Sequence, residues 1–141
     1  MTWRQTEARV VLLPTGRLIR GRPFRNSPGE AADWTLLLSG VPSRRAPYPS
    51  RWVCWPDFWV PIPRVAAASA FREAYERSVV EKVDVTCRGG VGRTGTALAA
   101  IAMLDGLSAM EAMRLVRSTY HPRAVETPWQ RRWLEKFEDR F

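Results

Sequence analysis

Residues 83–97, Val-Asp-Val-Thr-Cys-Arg-Gly-Gly-Val-Gly-Arg-Thr-Gly-Thr-Ala, decide the fold. Val83, Val85 and their neighbours make a short, mostly apolar, β-branched run that fits a strand. Thr96 to Leu104 is a run of small and aliphatic residues that reads as a buried helix, entered at Arg93 or Thr94. Gly89, Gly90 and Gly92 lie between the two. A strand that stops at a cysteine and crosses glycines into a helix can turn several backbone N–H groups onto one point. The positive end of the helix dipole acts at that same point, so it attracts anions. Cys87 stands at the entrance, and six positions later Arg93 supplies a planar fork suited to two oxygens of one phosphate. An anion-binding loop with a thiol at its floor points to nucleophilic attack on phosphorus.

Outward from this stretch, the composition sets limits. With 141 residues, 45% of them hydrophobic, the chain can bury one sizeable core and is short for two domains, so residues 1–141 are expected to form a single domain. No apolar run approaches the roughly 18 residues of a membrane span, and Met1-Thr-Trp-Arg-Gln-Thr-Glu lacks the apolar region of a signal peptide. A cytoplasmic location is the expectation. Cys54 and Cys87 are too few for a disulfide framework, and in a reducing compartment a lone cysteine is a candidate nucleophile. The net charge is +8, but 20 of the 22 basic residues are arginine, a pattern that points to codon bias and discounts the charge as a sign of function. No basic run with interleaved aromatics is present, which disfavours nucleic acid as a partner and leaves a generally phosphate-attracting surface.

Before the central stretch, Arg9–Leu13 and Leu18–Gly21 read as a hairpin around Pro14-Thr-Gly-Arg17. Residues 23–32 read as a loop, Trp34–Leu38 as a buried strand, and the proline-rich residues 40–50 as an irregular surface loop. Arg51–Trp55 reads as a strand, and Arg64–Lys82 as an amphipathic helix whose stripe is Ala68, Phe71, Tyr75 and Val79. After the central stretch, Ser108 and Glu111 form a capping box at the start of a further helix, which His121-Pro122-Arg123 ends. Thr127 and Pro128 open the last helix as N-cap and first residue, with Trp129, Trp133, Leu134 and Phe137 facing inward. Together these elements predict an α/β fold with a central, mostly parallel, twisted sheet flanked by helices.

Cys87-Arg-Gly-Gly-Val-Gly-Arg93-Thr94-Gly95 resembles the signature loop of the cysteine-dependent protein tyrosine phosphatase superfamily. Trp55-Pro56-Asp57-Phe58-Trp59-Val60-Pro61 resembles the mobile loop that carries that superfamily's general acid, and Val125-Glu126-Thr127-Pro128-Trp129-Gln130 resembles its glutamine loop. The length is closest to the small dual-specificity branch. The matches span residues 55–130, and residues 1–50 carry no family signature. The resemblance implies a phosphatase-like fold and hydrolysis of phosphomonoesters, phosphotyrosine in proteins foremost. In that scheme Cys87 is the nucleophile and Arg93, with Arg88, Gly89, Gly90, Val91 and Gly92, cradles the phosphate or another oxyanion. Asp57 is the acid, Thr94 donates to the sulfur, and Gln130 orients the attacking water. No metal or cofactor is implied, because Arg93 and the loop amides supply the charge stabilisation. Thr127 and Gln130 also fit a capping box, so a purely helix-capping reading of both stands beside the catalytic one.

The chain departs from the family pattern at Thr86, where histidine is usual. A free thiol is only a few per cent ionised at neutral pH, so here the helix N-terminus, Arg93 and the loop amides must do the activating. His121, the only histidine, starts a loop after a helix, where a structural role is expected. Cys54 is a candidate partner for a reversible disulfide with Cys87, weighed against a role as a buried small hydrophobe. Two further functions stay open: a phosphoinositide or RNA 5′-phosphatase using the same loop, and a catalytically silent phosphate-binding module.

Overall fold

A computed structural model describes residues 2–24, 31–41 and 49–138. In chain order the elements are β1 (Val10–Leu12), β2 (Leu18–Pro23), β3 (Trp34–Ser39), β4 (Ser50–Cys54), α1 (Arg64–Arg77), β5 (Val83–Cys87), α2 (Gly92–Leu104), α3 (Ala109–Thr119) and α4 (Pro128–Glu138). The expected loops at 23–32 and 40–50 fall for the most part outside the described residues. The five strands form one sheet in the order β1-β2-β5-β3-β4, parallel except for the β1–β2 hairpin. Thus the predicted α/β class, the hairpin and the mostly parallel sheet are all present.

Strand alternation gives the sheet two unlike faces. One carries Ile19, Trp34, Leu36, Leu38, Val53, Val83, Val85 and Cys87, all buried in a single apolar core with the helices. The other carries Asp84, buried near the start of β5, which accepts from Arg20 Nη2 at 2.8 Å, Arg22 Nε at 2.7 Å and Thr35 Oγ1 at 2.6 Å. A carboxylate without partners would cost several kcal/mol at such depth. Here three donors on β2 and β3 satisfy it and clamp both neighbours onto the strand that ends at Cys87. Trp3 covers this polar face, its indole N–H donating to Val83 O at 2.7 Å and its ring lying 4.0 Å from the Arg20 guanidinium carbon.

α2 is buried along almost its whole length, as its run of alanines and aliphatics requires. Its C-terminal end rests on Asp105, which accepts from the Thr15 amide (2.8 Å), the Thr15 hydroxyl (2.5 Å) and the Tyr75 hydroxyl (2.7 Å). Burial alone would raise the Asp105 pKa, but these donors and Arg17 outweigh it and hold the carboxyl below its ordinary range. α3 begins with the predicted Ser108–Glu111 capping box.

Four expectations need correction. α1 ends at Arg77, not Lys82, and its buried residues are Ala67, Ala70, Phe71 and Ala74; Val79 lies beyond the helix and is exposed. Of the expected stripe, Phe71 is fully buried and Ala68 and Tyr75 pack against the core, while Ala67, Ala70 and Ala74 beside them let α1 approach closely. α2 starts at Gly92, one residue before the expected entry at Arg93 or Thr94, since the Gly95 N–H already donates to Val91 O at 2.7 Å and closes the first turn. The fourth strand runs 50–54, leaving Trp55 beyond it but fully buried. Trp129 is 42% exposed and packs on Trp59, with ring centroids 5.7 Å apart, while Trp133, Leu134 and Phe137 do face inward.

Candidate active site

β5 delivers Cys87 to the end of the sheet and α2 begins five residues later. Among the described residues no side chain caps the N-terminus of α2, and no acidic residue sits in its first turn. Its first-turn N–H groups therefore remain available to an anion, together with the dipole they belong to. Within the loop, Gly90 N–H points to Cys87 Sγ at 3.2 Å. Gly90 adopts φ +70°, and a β-carbon there would lie 2.5 Å from the Pro23 backbone nitrogen, so only glycine fits between the loop and the end of β2. Cys87 itself is buried, and its carbonyl accepts from Phe24 N–H at 2.7 Å.

Arg93 is the point at which the loop meets the segment 55–59. Its side chain is 6% exposed; Nη1 donates to Trp55 O at 3.0 Å and Nε lies 3.5 Å from Asp57 Oδ1. Asp57, by contrast, is 53% exposed. Trp55 is anchored among Phe71 and Trp133, with ring centroids 6.1 and 6.5 Å away, and its indole N–H closes the loop on Trp59 O at 2.7 Å. The acid-bearing segment is thus fixed at its root and open at Asp57. Phe24, Leu38, Gly40, Val41, Asp57, Arg88 and Arg93 border a groove of about 450 Å³, with Arg88 exposed at its rim.

The predicted site residues Cys87, Arg88, Gly89, Gly90, Val91, Gly92, Arg93 and Asp57 therefore come together at one end of the sheet. Three expectations fare differently. The Thr94 hydroxyl is buried and does not reach the sulfur; it has no hydrogen-bond partner among the described residues. The Gln130 amide is fully buried: its Oε1 accepts from Glu126 N–H (3.0 Å) and Thr127 N–H (3.2 Å), while Nε2 donates to Trp59 O (3.0 Å). With Gln130 N–H on Thr127 Oγ1 at 3.2 Å, the capping box is complete, and the same amide ties α4 to the acid-bearing segment. The side chain of this turn that lies against the loop 87–93 is Glu126, whose carboxylate occupies the space beside Gly92. Cys54 cannot pair with Cys87. β3 lies between their strands, a separation of about 9–10 Å at the usual strand spacing, and alternation puts the two thiols on opposite faces.

Thr86 also points away from the thiol, onto the face shared with Asp84. His121 Nδ1 accepts from Arg123 N–H at 3.0 Å, a turn-closing role. Sequence reading missed Tyr120, whose hydroxyl donates to Gly90 O at 2.5 Å, and Gly21, against which the Tyr120 ring packs. The available signal was Gly21 itself, since a glycine inside a strand marks a close approach. Among the described residues no group of three or more His, Cys, Asp or Glu side chains is placed to hold a metal ion, and no helix is long and apolar enough to cross a membrane.

Comparison with known proteins agrees with this geometry. The profile of the family described as protein-tyrosine phosphatase matches residues 37–130. The structure of Tk-PTP in the active form aligns with a TM-score of 0.67 and 28% identity, covering 89% of this chain and 94% of that one. Human DUSP28 aligns with a TM-score of 0.67 and 20% identity over 93% of this chain and 96% of that one. Kinase associated phosphatase, solved with serine replacing its catalytic cysteine, aligns with a TM-score of 0.70 and 15% identity over 97% of both chains. A search of curated protein sequences finds no match. With two thirds of its residues matched by the family profile and the sheet, helices and cysteine loop arranged as above, the chain belongs to the protein-tyrosine phosphatase family and has the fold of its small, dual-specificity-like branch.

Proposed function

We propose that this protein hydrolyses phosphomonoesters through a cysteinyl-phosphate intermediate, with phosphotyrosine in proteins as its principal substrate class. The observation that carries the proposal is Arg93: one buried guanidinium, at the N-terminus of α2, contacts both the acid-bearing segment and the carboxylate of Asp57. A phosphoryl group held by Arg93 and the amides of residues 88–93 would have its three equatorial oxygens neutralised. The Cys87 thiolate attacks phosphorus in line, the S–P bond forming as the P–O bond to the leaving group breaks. Asp57 gives its proton to the leaving oxygen. In the second step a water attacks phosphorus, its proton passing to Asp57, and the S–P bond breaks to release phosphate and the thiolate. Gln130 serves this scheme as a tether of the acid-bearing segment, since its amide is buried and occupied there. The free cysteines fit a cytoplasmic setting.

The test is hydrolysis of an aryl phosphate together with rapid acid quenching to trap phosphocysteine. Cys87→Ser should lower turnover by on the order of 10⁴-fold or more and abolish the trapped species, with the fold unchanged. Turnover retained in Cys87→Ser would remove the nucleophile. Wild-type protein that binds phosphate but never forms phosphocysteine would be a silent phosphate-binding module.

A further inference from the structure

Tyr120 ends α3 as its C-cap residue and reaches across the bottom of the phosphate loop. Its ring passes through the gap left by Gly21 on β2: a β-carbon there would come within 2.5 Å of the ring. The hydroxyl then donates to Gly90 O at 2.5 Å. Burial, with the charge of nearby Cys87 adding to it, pushes the phenol far above its ordinary pKa, while Arg9 pulls weakly the other way. It is therefore a neutral O–H donor throughout the working pH range. Two glycines in succession, Gly89 and Gly90, leave the loop peptides free to rotate unless something outside holds them. Among the described residues nothing lies within 4 Å of a β-carbon built at Gly89, so none of them fixes that residue by packing.

Orientation matters because a trans peptide points its C=O and the next N–H in opposite directions. A Gly90 carbonyl turned toward a bound oxyanion would present a negative dipole and withdraw the Val91 N–H. Held on the phenol, the carbonyl is taken up and the Val91 N–H is sent the other way. The geometry points to Tyr120 as a positioning residue for the phosphate loop: its hydroxyl, threaded past Gly21, fixes the 90–91 peptide in the orientation that receives an oxyanion. This rests on reading residues 87–93 as an oxyanion site.

Binding of inorganic phosphate, measured by calorimetry in a Cys87→Ser background, tests the inference without turnover. Tyr120→Phe keeps the ring in its gap and removes only the donor, and should weaken phosphate binding roughly 10-fold. The measurement is made well below the melting temperature of each variant, so that a general loss of stability does not imitate the effect. Gly21→Ala reaches the same contact from the other side by displacing the ring, and should weaken binding at least as much. If Gly21→Ala fails to fold, Tyr120→Phe decides alone. Phosphate affinity in Tyr120→Phe within twofold of its parent overturns the positioning role while leaving the oxyanion site intact. A parent that binds no phosphate overturns the oxyanion site, and the positioning role with it.

Discussion

The loop 87–93 makes its left-handed turn at Gly90, φ +70°, whereas the segment 55–60 makes its own at Phe58, φ +59°. At glycine that conformation carries no steric cost. At phenylalanine it costs about 1–2 kcal/mol. The first loop is walled in by Pro23, Tyr120 and the buried α2; the second is anchored at Trp55 but leaves Phe58 and Trp59 exposed. Beyond the Trp55 indole and Arg93 bonds at its root, the second loop is held by side-chain bonds from one helix: Gln130 Nε2 to Trp59 O, and the Trp129 indole N–H to Phe58 O. The difference fits a division of labour. A group that cradles charge works best when it is fixed before the substrate arrives, and a group that must let the leaving alcohol out and the attacking water in between steps needs a loop that can release it.

Arg93→Lys strikes where the two loops meet and should have the largest effect of the changes in this pair. It keeps the charge but loses the fork, so one contact to phosphate and the bond to Trp55 O cannot both persist; kcat/KM should fall by about 10³-fold. A loss under 10-fold would mean that the two loops act independently of Arg93. Asp57→Asn leaves the cradle intact and removes the proton. We expect kcat to drop about 10²-fold for alkyl phosphates, with KM little changed and much less loss for a leaving group that needs no protonation. Equal losses for both leaving groups would assign the acid elsewhere. Gln130→Ala should cost both about 1 kcal/mol of stability, through the lost cap, and several-fold in kcat, through the lost tether. Thr127→Ala, which removes only the cap, gives the reference: if it lowers kcat equally, the tether is not what matters. The smallest change is at Phe58. Asparagine tolerates the left-handed region, so Phe58→Asn should leave the melting temperature unchanged or slightly raised, by up to about 1 kcal/mol in stability. A clear destabilisation would remove the strain from the comparison.

Most of the cysteine loop was legible because its chemistry is local. Strand, glycines, arginine and helix follow one another within 15 residues, and each residue type states its own reason for being there. The segment that brings Asp57 to within 3.5 Å of Arg93 was legible as a short motif. Legibility failed where a role depends on partners far away in the chain. Trp129 looks apolar and helical, yet it faces Trp59, 70 residues earlier, rather than the core. Gln130 satisfied two patterns at once, and only the position of Trp59 shows that its amide is used for both capping and tethering. Thr94 has the right chemistry for the sulfur, but its hydroxyl is set elsewhere by the helix that starts two residues before it. In α1 the periodicity found Phe71, but Val79 falls beyond the end of the helix, and the alanines at 67, 70 and 74 complete the buried face.

The double use of Gln130 ties two motions into one. If the segment 55–60 swings away, Gln130 and Trp129 lose their acceptors at Trp59 and Phe58 together, and the first turn of α4 is left holding only its own cap. Loop opening should then register as fraying of that turn, and amide hydrogen exchange at residues 129–131 should report the opening rate of a loop to which those amides do not belong. An oxyanion bound at Arg93, by favouring the docked segment, should slow that exchange.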